Sequence, residues 1–363
     1  MTSQEYVTLD SAEQPGISIE ELQLATRNHG MPLEALRYDV TPLGLHYLLT
    51  HFDIPALDPA TWRLRIGGWV ARPLTLTLDE LRARPTVTRR VTMECAGNGR
   101  ARLSPRPVSQ PWLLEAVGTG EWTGTPAADV IDEAGVTPDA IEVVFTGADR
   151  GVQGGVEHAY ARSITLDELR ATGALLAWGL NGVALPPQHG APVRLVVPGW
   201  YGMTSVKWLT SIDLTTTPFD GYQQAGSYRF RQTPDEVGDP VTRLAVRSLM
   251  IPPGIPDFLT RRRIVDRGTH ELRGRAWAGR APIAAVEVST DGGRTWQGAD
   301  LHTPSDPAAW TAWRAVWHAD APGETEVCCR ARDTSGNAQP DTPSWNLGGY
   351  AVNAVQRVAV TVR

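Results

Sequence analysis

The residues best able to do chemistry gather in "VTMECAGNGR" (91–100). There Cys95, one of three cysteines, sits between a strand-like run and a small-residue turn that ends in Arg100. A thiol in a glycine-bearing turn, with free backbone N–H groups and a guanidinium close by, is expected to ionise more easily than an ordinary cysteine. The resulting thiolate is a soft metal ligand or a nucleophile. A nucleophile needs a base, and no pattern in the chain supplies one. A metal needs further ligands, and Cys95 has no cysteine or histidine companion at metal spacing. Metal held here would draw its remaining ligands from a cofactor. A buried structural cysteine, a metal–cofactor site and a reactive thiol all stay open on the residues alone.

Other familiar sites fail on spacing or context. "GTGEWTG" (118–124) misses the dinucleotide fingerprint by one position and follows a run, "PWLLEAV" (111–117), that reads as helical. His46 and His51 stand five apart, not the four that place two histidines on one helix face for zinc. No phosphate loop, haem-attachment motif or serine elbow is present. Cys328 and Cys329 are adjacent in a strand-like segment and read as small core residues, and an odd cysteine count argues against a disulfide framework. Of the 34 basic residues only Lys207 is a lysine, which fits either chance or a place where a compact point charge serves better than a planar fork.

These groups must be positioned by a chain of 363 residues, long enough for two domains, with the apolar content (42%) of a globular protein. The net charge of −6 comes without a basic cluster, so nucleic acid is not expected as a partner. A local cationic pocket for a small anion remains compatible with it, because distant charges are screened. No run is long enough for a membrane span, and the polar N-terminus lacks an export signal. The expected location is cytoplasmic, or periplasmic if the N-terminus has been trimmed. "TWRLRIGGWV" alternates as a strand. "TLTLDELRARP" and "SITLDELRATG" each place threonine three residues before glutamate, the capping box that opens a helix. From 141 short β-branched runs alternate with turns, giving a strand-rich α+β domain over 1–235. Polar, proline and glycine residues at 231–240 mark a boundary. The regular short strands of 240–363, with a hairpin around "DGG", predict an immunoglobulin-like β-sandwich without its disulfide. A β-rich binding module is the non-enzymatic alternative, and metal content separates the two.

"VTMECAGNGR" also resembles the cysteine motif of the sulfite oxidase family of molybdopterin-dependent oxidoreductases. "TRNHGMP" (26–32), "FTGADRG" (145–151), "PPQHGAPVRLVVPGWYGMTSVKWLT" (186–210), "AWAG" (276–279), "VSTDGGRTWQ" (288–297) and "SWNLGGYAVNAVQRVAV" (344–360) follow in the family's order. The resemblance spans both domains and implies a molybdopterin whose dithiolene gives two sulfurs to molybdenum, with Cys95 as the protein's thiolate ligand. By the same similarity His29, Asp149, His189, Arg194, Ser205 and Lys207 hold the pterin or its phosphate. Arg27 and Arg100 flank the substrate anion, Trp112 lines its pocket, and Tyr228 is the active-site tyrosine, with Tyr222 as fallback. The implied activity is oxidation of sulfite to sulfate, with electrons passed to a separate acceptor such as a cytochrome c, or to oxygen. The second domain is implied to form a homodimer. One departure bears on substrate: Gly348 stands where sulfite-oxidising members carry arginine, and nitrate-reducing members lack that arginine too. Another oxyanion, or an S- or N-oxide, is therefore the alternative substrate, unless Arg102, Arg106 or another side chain supplies the charge.

Overall fold

The structure, a computed structural model, describes residues 16–363, so the stretch on which the export expectation rests lies almost wholly outside it. After helix α1 (Ile19–Arg27) the first domain threads ten strands. They are β1 (Leu64–Gly68), β2 (Leu74–Leu76), β3 (Val87–Glu94), β4 (Val117–Pro126), β5 (Glu142–Gln153), β6 (Val156–Thr165), β7 (Leu175–Leu180), β8 (Val183–Ala184), β9 (Arg194–Val196) and β10 (Leu209–Thr215). One sheet has the order β2-β1-β10-β5-β6, with β1 and β10 parallel; the other has β3-β4-β7-β8, with β9 added to β7. Every residue of β7 is buried, which explains the unbroken apolar run "LLAWGL". Helices α2 (Leu78–Arg82), α3 (Ala127–Glu133) and α4 (Leu166–Thr172) turn Leu81, Ile131 and Leu169 into this domain's core. Both expected helix starts are present: Thr77 accepts from the Glu80 amide and Thr165 from the Glu168 amide.

The run 111–117 is not a helix. Trp112, Leu114 and Ala116 are buried and Leu113 is exposed, a period of two that belongs to an extended chain. Its apolar residues enter β4 directly, so "GTGEWTG" lies within a strand. The 231–240 segment is not an open linker either, because Arg229–Phe230 pairs with Asp239–Pro240 as a hairpin.

Beyond it a four-stranded sheet (Arg247–Met250, Gly268–Trp277, Thr311–Ala319, Asp300–His302) faces a six-stranded one built around Gly323–Asp333 and Gln356–Val362. Thr311, Trp313, Ala315, Trp317 and Ala319 alternate inward along one strand and meet Val327, Cys329 and Val360 from the other sheet. Both Cys328 and Cys329 are fully buried, and burial pushes each thiol up to about 12. They pack as structural residues.

A further core joins the two domains: Met31, Ala96, Leu114 and Tyr228 from the first meet Leu244, Leu249, Trp277 and Trp310 from the second. Set into it is an ion pair. Glu94, the last residue of β3, lies 2.6 Å from Arg247, and both side chains are almost wholly buried. The carboxylate also accepts from the Trp277 indole (2.8 Å) and the Asn98 amide (2.9 Å). Removing one member of such a pair strands the other in low dielectric. Arg247→Met is expected to cost about 3–5 kcal/mol. Glu94→Gln/Arg247→Met together should cost clearly less, and denaturant unfolding of both variants checks the difference.

Candidate functional site

Cys95 follows Glu94 directly, and the turn after it is held from all sides. The Cys95 amide donates to Ala116 (2.9 Å), the Asn98 amide to the Cys95 carbonyl (3.0 Å), and the Asn98 side chain accepts from Ala116 and donates to Leu114. Gly99 takes φ +100°, and a Cβ there would meet the Val352 carbonyl at 2.6 Å, so the turn needs glycine to lie against the second domain. Arg100 then reaches across to the Gly348 carbonyl (2.9 Å) and back to the Gln110 carbonyl (3.1 Å). The expected acidification of Cys95 is outweighed. Burial pushes the thiol up, and the Arg100 charge, the Gly97 amide and the Trp112 indole pull it down by less. A metal bound to the sulfur would favour the thiolate that burial disfavours.

Two cavities meet at Cys95, sharing Leu49, His51 and Tyr228 as walls. The inner one collects Asp149, His189, Arg194, Ser205 and Lys207. Asp149 arrives through an irregularity in the β5–β6 ladder: pairing jumps from Thr146–Ala161 to Arg150–Ala159, so 147–149 bulge out opposite Tyr160. Arg194 donates to the His189 (3.0 Å) and Ser205 (2.8 Å) carbonyls, and Lys207 to those of Leu49 (2.8 Å) and Gln188 (3.0 Å). These cations are thus aimed by carbonyls, and neither forms an ion pair among the described residues. Burial lowers Lys207 to about 7, Arg194 to about 10 and His189 to about 2, and for the lysine and histidine neighbouring positive charges add to the effect. Burial raises Asp149 to about 6 against the pull of Lys207.

The outer cavity is lined by Arg100, Gln110, Trp112, Gln153, Tyr228 and Tyr350. Of the residues singled out in the sequence, Arg100, Trp112 and Tyr228 are therefore brought together beside Cys95. Tyr228 holds a left-handed backbone (φ +52°), strained for a bulky residue, and its hydroxyl pairs with that of Tyr160, which donates to the Met203 carbonyl (2.8 Å). The fallback, Tyr222, stacks on His158 instead and lines neither cavity. Arg27 is not brought to the site. It is the last residue of α1 and points outward, half exposed, to the Phe52 carbonyl and the Asp53 carboxylate (3.3 Å). His29 is exposed; its charge bears on His46 and His189, but it lines neither cavity. Arg106 is committed to Glu21 (3.0 Å), and Arg102 is exposed and lines neither cavity. Sequence reasoning missed His46, Tyr160 and Tyr350. The two histidines rejected as a zinc pair do line the inner cavity, from an extended segment whose polar residues gave no periodic signal.

Residues 51–223 match the family profile of the oxidoreductase molybdopterin binding domain, and 239–363 that of the Mo-co oxidoreductase dimerisation domain. Sulfite oxidase of Gallus gallus is 34% identical over 96% of this chain and 78% of its own length. The chain belongs to the sulfite oxidase family of molybdopterin-dependent oxidoreductases. It spans 62% of the rat mitochondrial sulfite oxidase (34% identical) and 38% of an NADH nitrate reductase of Oryza sativa (33% identical). Among solved structures, the sulfane dehydrogenase SoxCD of Paracoccus pantotrophus aligns over 99% of this chain and 90% of its own, with 25% identity and a TM-score of 0.79.

The residues present fit the family's cofactor. Asp149 Oδ1, in the wall of the inner cavity, is buried without a hydrogen-bond partner, a cost that a ligand rich in N–H groups relieves. Cations held on carbonyls suit a phosphate. Among the described residues no three His, Cys, Asp or Glu side chains gather as a metal site, so metal on Cys95 would take its other donors from the pterin.

The folded Lys207 loses its proton as pH rises through about 7, well below the unfolded value, while Asp149 gains negative charge through about 6. Both changes weaken anion binding with rising pH. Sulfate, which does not titrate in this range, should bind the cofactor-free protein more tightly at pH 6 than at pH 8.5, and Lys207→Met should flatten that dependence in calorimetric titration.

Proposed function

We propose that this molybdenum-cofactor oxidoreductase oxidises sulfite to sulfate and passes two electrons to a separate acceptor, a cytochrome c or oxygen. One observation carries the reading: Cys95 stands in the wall shared by a buried cationic cavity that suits a pterin phosphate and an outer cavity that presents Arg100 to an anion. Cys95 would ligate molybdenum, and Asp149, His189, Arg194, Ser205 and Lys207 would hold the pterin. Bound there, the cofactor supplies oxygen-atom transfer and accepts the electrons; overall, sulfite and water give sulfate, two protons and two electrons.

The chain's own residues bind and orient the substrate. The Arg100 guanidinium is fixed by two carbonyls before an anion arrives, so it attracts charge without reorganising. Trp112 closes the pocket, and its indole N–H favours the thiolate form of Cys95 beside it. Tyr228 stays neutral, because burial and the neighbouring phenols raise its pKa, and can both donate to and accept from an oxyanion. The second domain, read as an immunoglobulin-like sandwich, completes the outer cavity through Tyr350 and is proposed to carry the homodimer contact.

Gly348 is the observation that favours a second reading, in which the same cofactor acts on another oxyanion, as in the nitrate reductases. The place of a side chain at 348 is filled: a Cβ there would meet the Tyr350 ring at 2.1 Å. Arginine is therefore not restored at this position without moving the tyrosine.

Elemental analysis and sulfite-dependent acceptor reduction on wild type and Cys95→Ser test the proposal. About one molybdenum per chain, with turnover abolished in Cys95→Ser, is the expected result. Metal present with sulfite inert would transfer the activity to the second reading. Arg100→Met should raise KM for sulfite roughly 10- to 100-fold, the loss of one charge-assisted hydrogen bond, with a smaller change in kcat.

A further inference from the structure

Arg162 has no part in the site described so far. It lies on β6, two residues after Tyr160, and only 1% of it is exposed. Burying a guanidinium costs several kcal/mol unless a counter-charge is near. Its Nε has no partner, and the groups that bear most on its charge are the phenols of Tyr160, Tyr228 and Tyr350 and the cation of Arg229. Burial holds the Tyr160 and Tyr228 phenols neutral, so neither supplies the missing negative charge. Among the described residues its side-chain hydrogen bond runs from Nη1 to the Gln223 carbonyl, in the π-helical turn Tyr222–Gly226 that delivers Tyr228.

The geometry around it is a ladder. The Arg162 guanidinium lies over the Tyr228 ring (5.7 Å), Tyr228 packs on Tyr350 (5.2 Å), and Arg100 lies over the Tyr350 ring (5.4 Å). Two positive charges thus bracket two tyrosines in tilted ring contact, and both tyrosines face the outer cavity. Only Arg100 reaches the cavity itself; Arg162 acts from behind Tyr228. A low-dielectric aromatic layer transmits such a field with little screening.

We propose that Arg162 is a specificity-determining positioning residue: together with Arg100 it makes the outer cavity select a doubly charged oxyanion, such as sulfite or sulfate, over a singly charged one, such as nitrate. The proposal rests on the outer cavity being the oxyanion site, but not on which anion is turned over. A buried charge acts on a dianion with twice the energy it exerts on a monoanion. Its removal therefore changes the ratio of the two affinities, which loss of packing alone does not.

The test uses molybdenum-loaded protein and titrates sulfate and nitrate calorimetrically at fixed pH and ionic strength. The proteins compared are wild type, Arg162→Gln, which keeps a donor for the Gln223 carbonyl without the charge, and Arg162→Lys, which keeps the charge. The sulfate-to-nitrate affinity ratio is expected to fall roughly tenfold in Arg162→Gln and to recover in Arg162→Lys. An unchanged ratio in Arg162→Gln overturns the proposal. So does a loss of fold or molybdenum in both variants, since Arg162 would then be a framework residue. If wild type proves inert toward sulfite while the ratio still collapses in Arg162→Gln, the substrate assignment fails and the charge selection stands.

Discussion

A buried ion pair, Glu94 with Arg247, sets the position of everything that follows it in the chain. Taken alone such a pair is weak evidence of stability, because desolvating both charges offsets most of their attraction. Its geometric effect is larger. It closes only when the end of β3 and the strand Arg247–Met250 lie side by side, and Trp277 and Asn98 fill the remaining sites of the carboxylate. Cys95 is the next residue, and Arg100, five further on, is the first side chain to cross back to the second domain. The thiol is thereby fixed relative to both halves of the molecule.

Around that fixed point the electrostatics are lopsided. Arg194 and Lys207 line the inner cavity and Arg100 the outer one, with Arg162 behind Tyr228, while among the described residues Asp149 is the carboxylate that lines the inner cavity. Carbonyl oxygens orient these cations without neutralising them, so the field stays available to an anion. Burial meanwhile pulls Lys207 and His189 toward neutrality, which ties the strength of that field to pH. Such an arrangement trades stability of the ligand-free fold for affinity.

Much of this is legible in the sequence alone. Cys95 stood out because a lone thiol lay in a small-residue turn, and Lys207 because no other lysine exists to dilute it. The two capping boxes were readable because they are local, three residues end to end. What escaped depends on distant pairing. Arg162 looks like any strand arginine in an arginine-rich chain until β6 proves buried along its inner half. Tyr350 becomes a site residue only because its segment folds back onto Tyr228, 122 positions earlier. Arg27 fails for the opposite reason: its motif is local, but the direction of its side chain is settled by Asp53 in another segment. The misread helix at 111–117 shows the same limit, since a short apolar run fits both periods until its partners are known.

The clamp on the cysteine turn also imposes an order in time. Arg100 and the Gly348 carbonyl that holds it are separated by 248 residues. At ordinary rates of synthesis, the ribosome needs on the order of tens of seconds to add that much chain. Throughout that interval the outer cavity lacks the wall that Tyr350 provides, and Cys95 lies in a half-built surface open to oxidants and to stray metal. Insertion of a large, fragile cofactor therefore belongs after release of the chain, and the nascent thiol needs shelter until then.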